Sequence, residues 1–218
     1  MRRLDRRGFL LGAAIVCVVR YPVRAAVAFF PAWTRVPAIT IFGASGDPRV
    51  PMVHDAVAYW NRTFAELGSG FRLGAVSVTT GAVPPSVLVT MSQDVVGEYG
   101  RPPMPDWLAG RQDQIVVALS NEDFVSFTMR WGETGLAAIK SINSSPLTLP
   151  NVARNVIAHE IGHAICLGHN SDPAFLMCGR PAPCRPAAFQ SATDRFFPLA
   201  DDEKALLLRF YPADWRPR

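Results

Sequence analysis

The sequence has no apolar run long enough to cross a bilayer. Its N-terminal run ends at Val19 after about eleven residues, and a spanning helix needs about 20. It has no internal repeat and no Asp/Asn-rich loop with calcium-hand spacing. It also lacks a lasting excess of charge. The 22 basic and 18 acidic residues give a net charge of +4, but six of the bases (Arg2, Arg3, Arg6, Arg7, Arg20, Arg24) and one acid (Asp5) lie within the first 28 residues. The remainder has 16 basic and 17 acidic residues, so nothing calls for a nucleic-acid partner. Cysteine is sparse and odd in number once Cys17 is set aside, leaving Cys166, Cys178 and Cys184. Histidine is sparser still in distribution: three of the four fall within eleven residues.

What is present begins with an export signature. Asp5-Arg6-Arg7-Gly8-Phe9-Leu10-Leu11 reads as a twin-arginine signal. The apolar run follows, Arg20 ends it, and Ala26-Val27-Ala28 has the small-x-small form of a cleavage site. Residues 1–28 are therefore expected to be a signal peptide and residues 29–218 one exported domain, periplasmic or extracellular. The alternative is an uncleaved anchor. With 49% hydrophobic residues and 218 positions, the chain can build one sizeable core but hardly two domains. Cys178 and Cys184 flank the stiff loop Gly179 to Pro183 and can be stapled in an oxidising compartment. Pairing of Cys166 with either is the competing arrangement; Cys178–Cys184 is favoured.

The chemistry concentrates in His159-Glu160-Ile161-Gly162-His163-Ala164-Ile165-Cys166-Leu167-Gly168-His169. His159 and His163 are four apart, so a helix places them on one face, one turn from each other. Neutral imidazoles at that spacing can hold one zinc ion. Glu160 is placed to take a proton from a metal-activated water. His169 is six residues beyond His163, and a continuous helix would turn it about 240° away. It joins the set only if the helix stops and the chain bends back, and Gly168 is the residue suited to that bend.

This stretch resembles the zinc-binding consensus of the metzincin metalloproteases, H-E-x-x-H-x-x-G-x-x-H, most closely in the matrixin branch. One position departs: the family's first glycine is Cys166 here, expected to be a buried free thiol. The resemblance implies zinc as cofactor, with His159, His163 and His169 as ligands and Glu160 as general base and acid in peptide hydrolysis. It also implies a methionine turn under the metal, for which Met177 in Phe175-Leu176-Met177 is the candidate. Gly179 stands where some metzincins place a metal-reaching tyrosine. The cysteine-switch propeptide and the extra histidines of a second, structural zinc are not found. An extended peptide substrate is implied along a sheet edge, assigned to Gly135 to Ile139, with Leu136, Ala137 and Ala138 against the substrate. Glu203 is the alternative third ligand, and a non-catalytic zinc-binding module of the same fold is the alternative function. The partner is thus a protein or peptide substrate, with no nucleic acid, no stable membrane span after signal removal, and a monomeric state.

The order of elements supports an α+β fold: a mixed twisted sheet, a long helix, the zinc helix and a C-terminal helix. Strands are expected over Ala38 to Phe42, Phe71 to Val78, Ser86 to Met91, Gln114 to Leu119 and Phe124 to Trp131, with Gly135 to Lys140 following. Val53, Val57, Trp60, Phe64 and Leu67 form the apolar face of the long helix. Residues 97–111 read as a surface loop. The zinc helix is expected over Val152 to Cys166 behind a cap in Thr148 to Asn151, and the last helix over Asp201 to Tyr211. His54 is expected to be a surface residue.

Overall fold

Five short segments form strands, four of them largely buried, and one of those four sets the architecture. In the computed structural model, which describes residues 26–80, 83–97, 101–179 and 195–218, Gln114–Leu119 is the central strand. Its Ile115, Val117 and Leu119 point into one hydrophobic cluster, while Val116 and Ala118 point into another. A strand buried on both faces reads as a continuous apolar run, which is what this segment shows.

With Ala38–Phe42 as β1, Val76–Thr79 as β2, Gln114–Leu119 as β3, Phe127–Trp131 as β4 and Thr134–Ile139 as β5, the sheet order is β2-β1-β3-β5-β4. All neighbours are parallel except β4, which runs antiparallel to β5 through the turn at Gly132. The long helix α1 (Arg49–Glu66) and the helix α3 (Pro150–Ala164) pack against each other on one face of the sheet. Helix α2 (Pro85–Gly97) covers the other face with Leu88 and Met91. Helix α4 (Asp201–Phe210) closes the chain against α1 and α3 through Leu206 and Leu207. This is an α+β fold with a mixed five-stranded sheet, as expected. No helix of the described residues is long and apolar enough to cross a membrane.

Three assignments are corrected. Ser86 to Met91 is the first half of α2 and not a strand: Leu88, Met91 and Ser92 are buried at helical spacing, and Pro85 opens the helix. The strand expected over Phe71 to Val78 is confined to Val76–Thr79. Phe71 and Leu73 are buried in an extended connection, where the Phe71 ring stacks on Tyr211. The loop 97–111 contains a short 3-10 turn, Asp106–Leu108, whose Leu108 is wholly buried.

Helix α1 buries Val53, Val57, Trp60 and Phe64 of the expected face, while Leu67 follows the helix end and is half-buried, and His54 is exposed. Its first residue, Arg49, is 1% exposed and is neutralised by Asp47, while also donating to the carbonyls of Ser120 and Lys140. This ties the start of α1 to the ends of β3 and β5 and fixes the helix that backs the histidine site.

Candidate metal centre

Helix α3 begins with Pro150 as its first residue, which fits a position whose N–H would have no partner. No side chain caps it, and Thr148 plays no such part. The helix ends at Ala164, earlier than expected, and the termination is well defined. Cys166 N–H donates to the His163 carbonyl (2.9 Å) and Leu167 N–H to the Gly162 carbonyl (3.0 Å). This pair of bonds is a Schellman motif, and its penultimate residue needs positive φ. That residue is Cys166, with φ +114°, where glycine is normally found. The bend expected at Gly168 is therefore made at Cys166. Gly168 has a different use: a Cβ there would stand 2.5 Å from the Val27 carbonyl oxygen.

The turn brings His169 back onto the helix. His159, His163 and His169 each offer a ring nitrogen, and these atoms lie within 4.8 Å of one another. His163 Nε2 and His169 Nε2 are 3.0 Å apart. Ligands at about 2.05 Å in tetrahedral geometry stand roughly 3.3 Å apart, so the spacing suits one small ion. His159 Nδ1 donates to the Leu176 carbonyl (2.8 Å) and His163 Nδ1 to the Leu167 carbonyl (2.7 Å). A carbonyl can only accept, so both rings carry their proton on Nδ1 and turn the Nε2 lone pair to the centre. Burial, followed by the neighbouring His169, lowers the pKa of His163 to about 3, which keeps this imidazole neutral. The donor set fits a zinc ion.

Glu160 is 5% exposed, and burial pushes its pKa up to about 7. Thr128, on β4, opposes that shift: its hydroxyl lies 2.8 Å from both the Glu160 backbone carbonyl and Oε2. Met177 is fully buried. A Cβ on Gly162 would lie 2.6 Å from its sulfur, which places Met177 against the helix at Gly162. The Met177 segment is held by Asn170 N–H to the Met177 carbonyl (3.0 Å) and Leu176 N–H to the Pro198 carbonyl (2.8 Å).

Glu203 is not part of the set. One of its oxygens accepts from the Ala200 N–H and the other from Asn170 Nδ2, so it caps α4 and holds the residue after His169. Cys166 is a buried free thiol, which excludes its pairing with Cys178 or Cys184. Cys178 is disulfide-bonded; Cys184, its expected partner, lies outside the described residues.

The structure does not bring Leu136, Ala137 and Ala138 to the site surface. They are wholly buried in β5, which is hydrogen-bonded on both sides, to β3 and to β4. The edge is β4. Small residues in this strand fit close packing on both faces, since Ala137 lies in the cluster with α3 and Ala138 in the cluster with α2. Thr128 and Gly162 are site residues that sequence reasoning did not assign, and Gly179, placed there by the resemblance alone, has a packing role of its own. A Cβ on Gly179 would overlap the His169 ring. Glycine inside a helix is costly, so Gly162 carried a readable signal; Thr128 carried none.

No protein-family model matches the chain, and no curated protein matches it. Among solved structures it is similar to an archaemetzincin from Methanopyrus kandleri, at 18% identity and a TM-score of 0.41, covering 83% of this chain and 97% of that one. It is also similar to metalloproteinase-II from Bacteroides fragilis, at 12% identity and a TM-score of 0.46, covering 88% and 59%. A chaperone–substrate complex is similar at 14% identity and a TM-score of 0.40, covering 79% and 34%. The chain thus spans less than two thirds of the length of the last two.

Proposed function

We propose that this chain is an exported zinc endopeptidase. The observation that carries the reading is the convergence of three imidazole nitrogens, with a buried carboxylate on the residue that follows His159. A zinc ion held by His159, His163 and His169 would supply a Lewis acid and lower the pKa of a water toward about 7. The Leu176 and Leu167 carbonyls hold two of the rings in the tautomer that such binding needs. Glu160 takes a proton from the attacking water and returns it to the leaving amine. Thr128 fixes the carboxylate that does so. Met177 supports the helix from below. An extended peptide can add as a strand to an exposed sheet edge, held by main-chain hydrogen bonds. Here that edge is β4, beside a cleft lined by Phe29, Pro31, Asp94, Arg101 and Met129.

Hydrolysis of denatured casein, with and without a chelator, tests this. Glu160→Gln is expected to retain zinc and lose turnover by several orders of magnitude, because both proton steps use that carboxylate. Normal turnover in Glu160→Gln removes the base assignment. A wild-type chain that binds zinc but cleaves nothing is a binding module. For export, Arg6→Lys combined with Arg7→Lys is expected to hold the precursor in the cytoplasm; unchanged secretion points to another route.

A further inference from the structure

Residues 26–31 precede the first sheet strand, yet they are tied to the turn that carries His169. Gly168 N–H donates to the Val27 carbonyl (2.6 Å) and Phe29 N–H to the Cys166 carbonyl (2.8 Å). Between those bonds Ala28 and Leu167 face each other as an antiparallel bridge. The Phe29 ring stacks on His163, with centroids 4.7 Å apart and planes 17° apart, and meets His169 edge-on at 5.2 Å. Farther along, the Pro31 carbonyl accepts from Arg130, and Trp33 Nε1 donates to the Ala164 carbonyl at the end of α3.

These contacts fall on Cys166 and Gly168, the stretch that must swing His169 toward His163. Gly168 is fitted to them, since any side chain there would strike the Val27 carbonyl. Burial does not account for the placement: Val27 is 59% and Phe29 47% exposed. A large apolar ring kept half in water gains little from the hydrophobic effect. Its contact with two ligand rings is what its position provides.

The geometry points to Ala26–Phe30 as a positioning strap of the metal site. Its backbone fixes the Cys166–Gly168 turn and with it His169, and Phe29 sets the plane of the His163 ring. The inference rests on the metal reading above. It also bears on processing. Cleavage after Ala28 would remove the Val27 carbonyl that accepts from the Gly168 N–H and the Ala28 half of the bridge to Leu167, two of the ties that hold the turn. The zinc-loaded chain keeps Val27 and Ala28.

The test compares the full chain with Phe29→Ala, Phe29→Tyr and Phe29→Pro. Zinc affinity is read by chelator competition, ligand geometry by the absorption bands of the cobalt(II)-substituted protein, and folding by thermal melting after metal is stripped. Phe29→Ala and Phe29→Pro are expected to bind zinc about tenfold or more weakly, as for other residues that orient metal ligands, and to shift the cobalt bands. Phe29→Tyr restores both, and the metal-free melting temperature of Phe29→Ala stays near that of the wild type. If Phe29→Ala and Phe29→Pro keep wild-type affinity and cobalt bands, the strap is overturned, whether or not melting changes. A wild-type chain that binds no zinc overturns the metal reading and the strap with it. N-terminal sequencing of the zinc-loaded chain from cells expressing the whole sequence is expected to start at or before Val27. A fully zinc-competent chain starting at Phe29 overturns the processing consequence.

Discussion

Cys166 is held at φ +114° by the two bonds that end α3 and by the Phe29 N–H on its carbonyl. A residue with a Cβ in that region of backbone space carries about 1–2 kcal/mol of strain. The buried thiol offsets part of this by filling space at 0% exposure. Replacement by glycine removes both terms, so Cys166→Gly is expected to change stability by no more than about 1 kcal/mol, although it deletes a wholly buried side chain. Cys166→Val keeps the bulk but adds a β-branched side chain at a positive φ, and is expected to cost more than about 2 kcal/mol. Urea unfolding of the two variants checks the order. If valine is the more stable, the backbone is not strained there. Burial also pushes the thiol up to about 12. The folded protein should resist alkylation at Cys166 until it is denatured, because the thiolate is the reactive form.

At the scale of elements, helix α3 shows how local propensity yields to packing. Gly162 sits in the last turn of the helix, where propensity still favours alanine, by up to about 1 kcal/mol. A Cβ there would meet Met177 Sδ at 2.6 Å and Trp60 Cζ2 at 2.9 Å. Trp60 cannot withdraw freely, because its Nε1 donates to the Ala158 carbonyl on the same helix. Gly162→Ala is therefore expected to destabilise the protein by about 1–3 kcal/mol, against the sign of propensity. Met177→Ala is itself expected to destabilise, but the double variant should cost less than the sum of the two singles, since the two sites touch. Denaturant titration of both singles and the double checks it; a stabilised Gly162→Ala would mean the helix is not pressed against Met177. The same elements show what was legible. The i, i+4 histidines and the apolar face of α1 follow from helical period alone. Helix α2 did not, because Val87, Leu88 and Val89 form a short apolar run that period cannot assign to helix or strand. The edge strand was misplaced for another reason. Edge position depends on how β4 folds back beside β5, and no property of Gly135 to Ile139 records that. Thr128 was unreadable because its tie to Glu160 crosses 32 positions of sequence.

At the scale of the whole molecule, the histidine cluster and the neighbouring Glu160 make stability depend on pH through two opposed groups. In the metal-stripped chain His163 titrates at about 3 in the native state and 6.5 when unfolded. Its depressed pKa contributes stability that is present above 6.5 and lost as pH falls toward 3. Glu160 titrates at about 7 in the native state and 4.5 when unfolded. Its raised pKa contributes stability that is present below 4.5 and lost as pH rises toward 7. Each alone would tilt stability by about 1.4 kcal/mol per pH unit, with opposite signs. Between pH 4.5 and 6.5 the two slopes cancel. Other groups, such as Asp47, which burial raises but Arg49 holds below its ordinary value, act in the wild type and the variants alike. Differences between chains therefore report the two groups together with their direct neighbours, His169 beside His163 and Thr128 beside Glu160. Relative to the wild type, metal-stripped Glu160→Gln is expected to gain stability as pH rises from 4.5 to 6.5. His163→Gln is expected to lose stability over the same range. Urea midpoints at several pH values in a chelating buffer measure this, and parallel profiles for all three chains would mean that neither group titrates differently in the native and unfolded states.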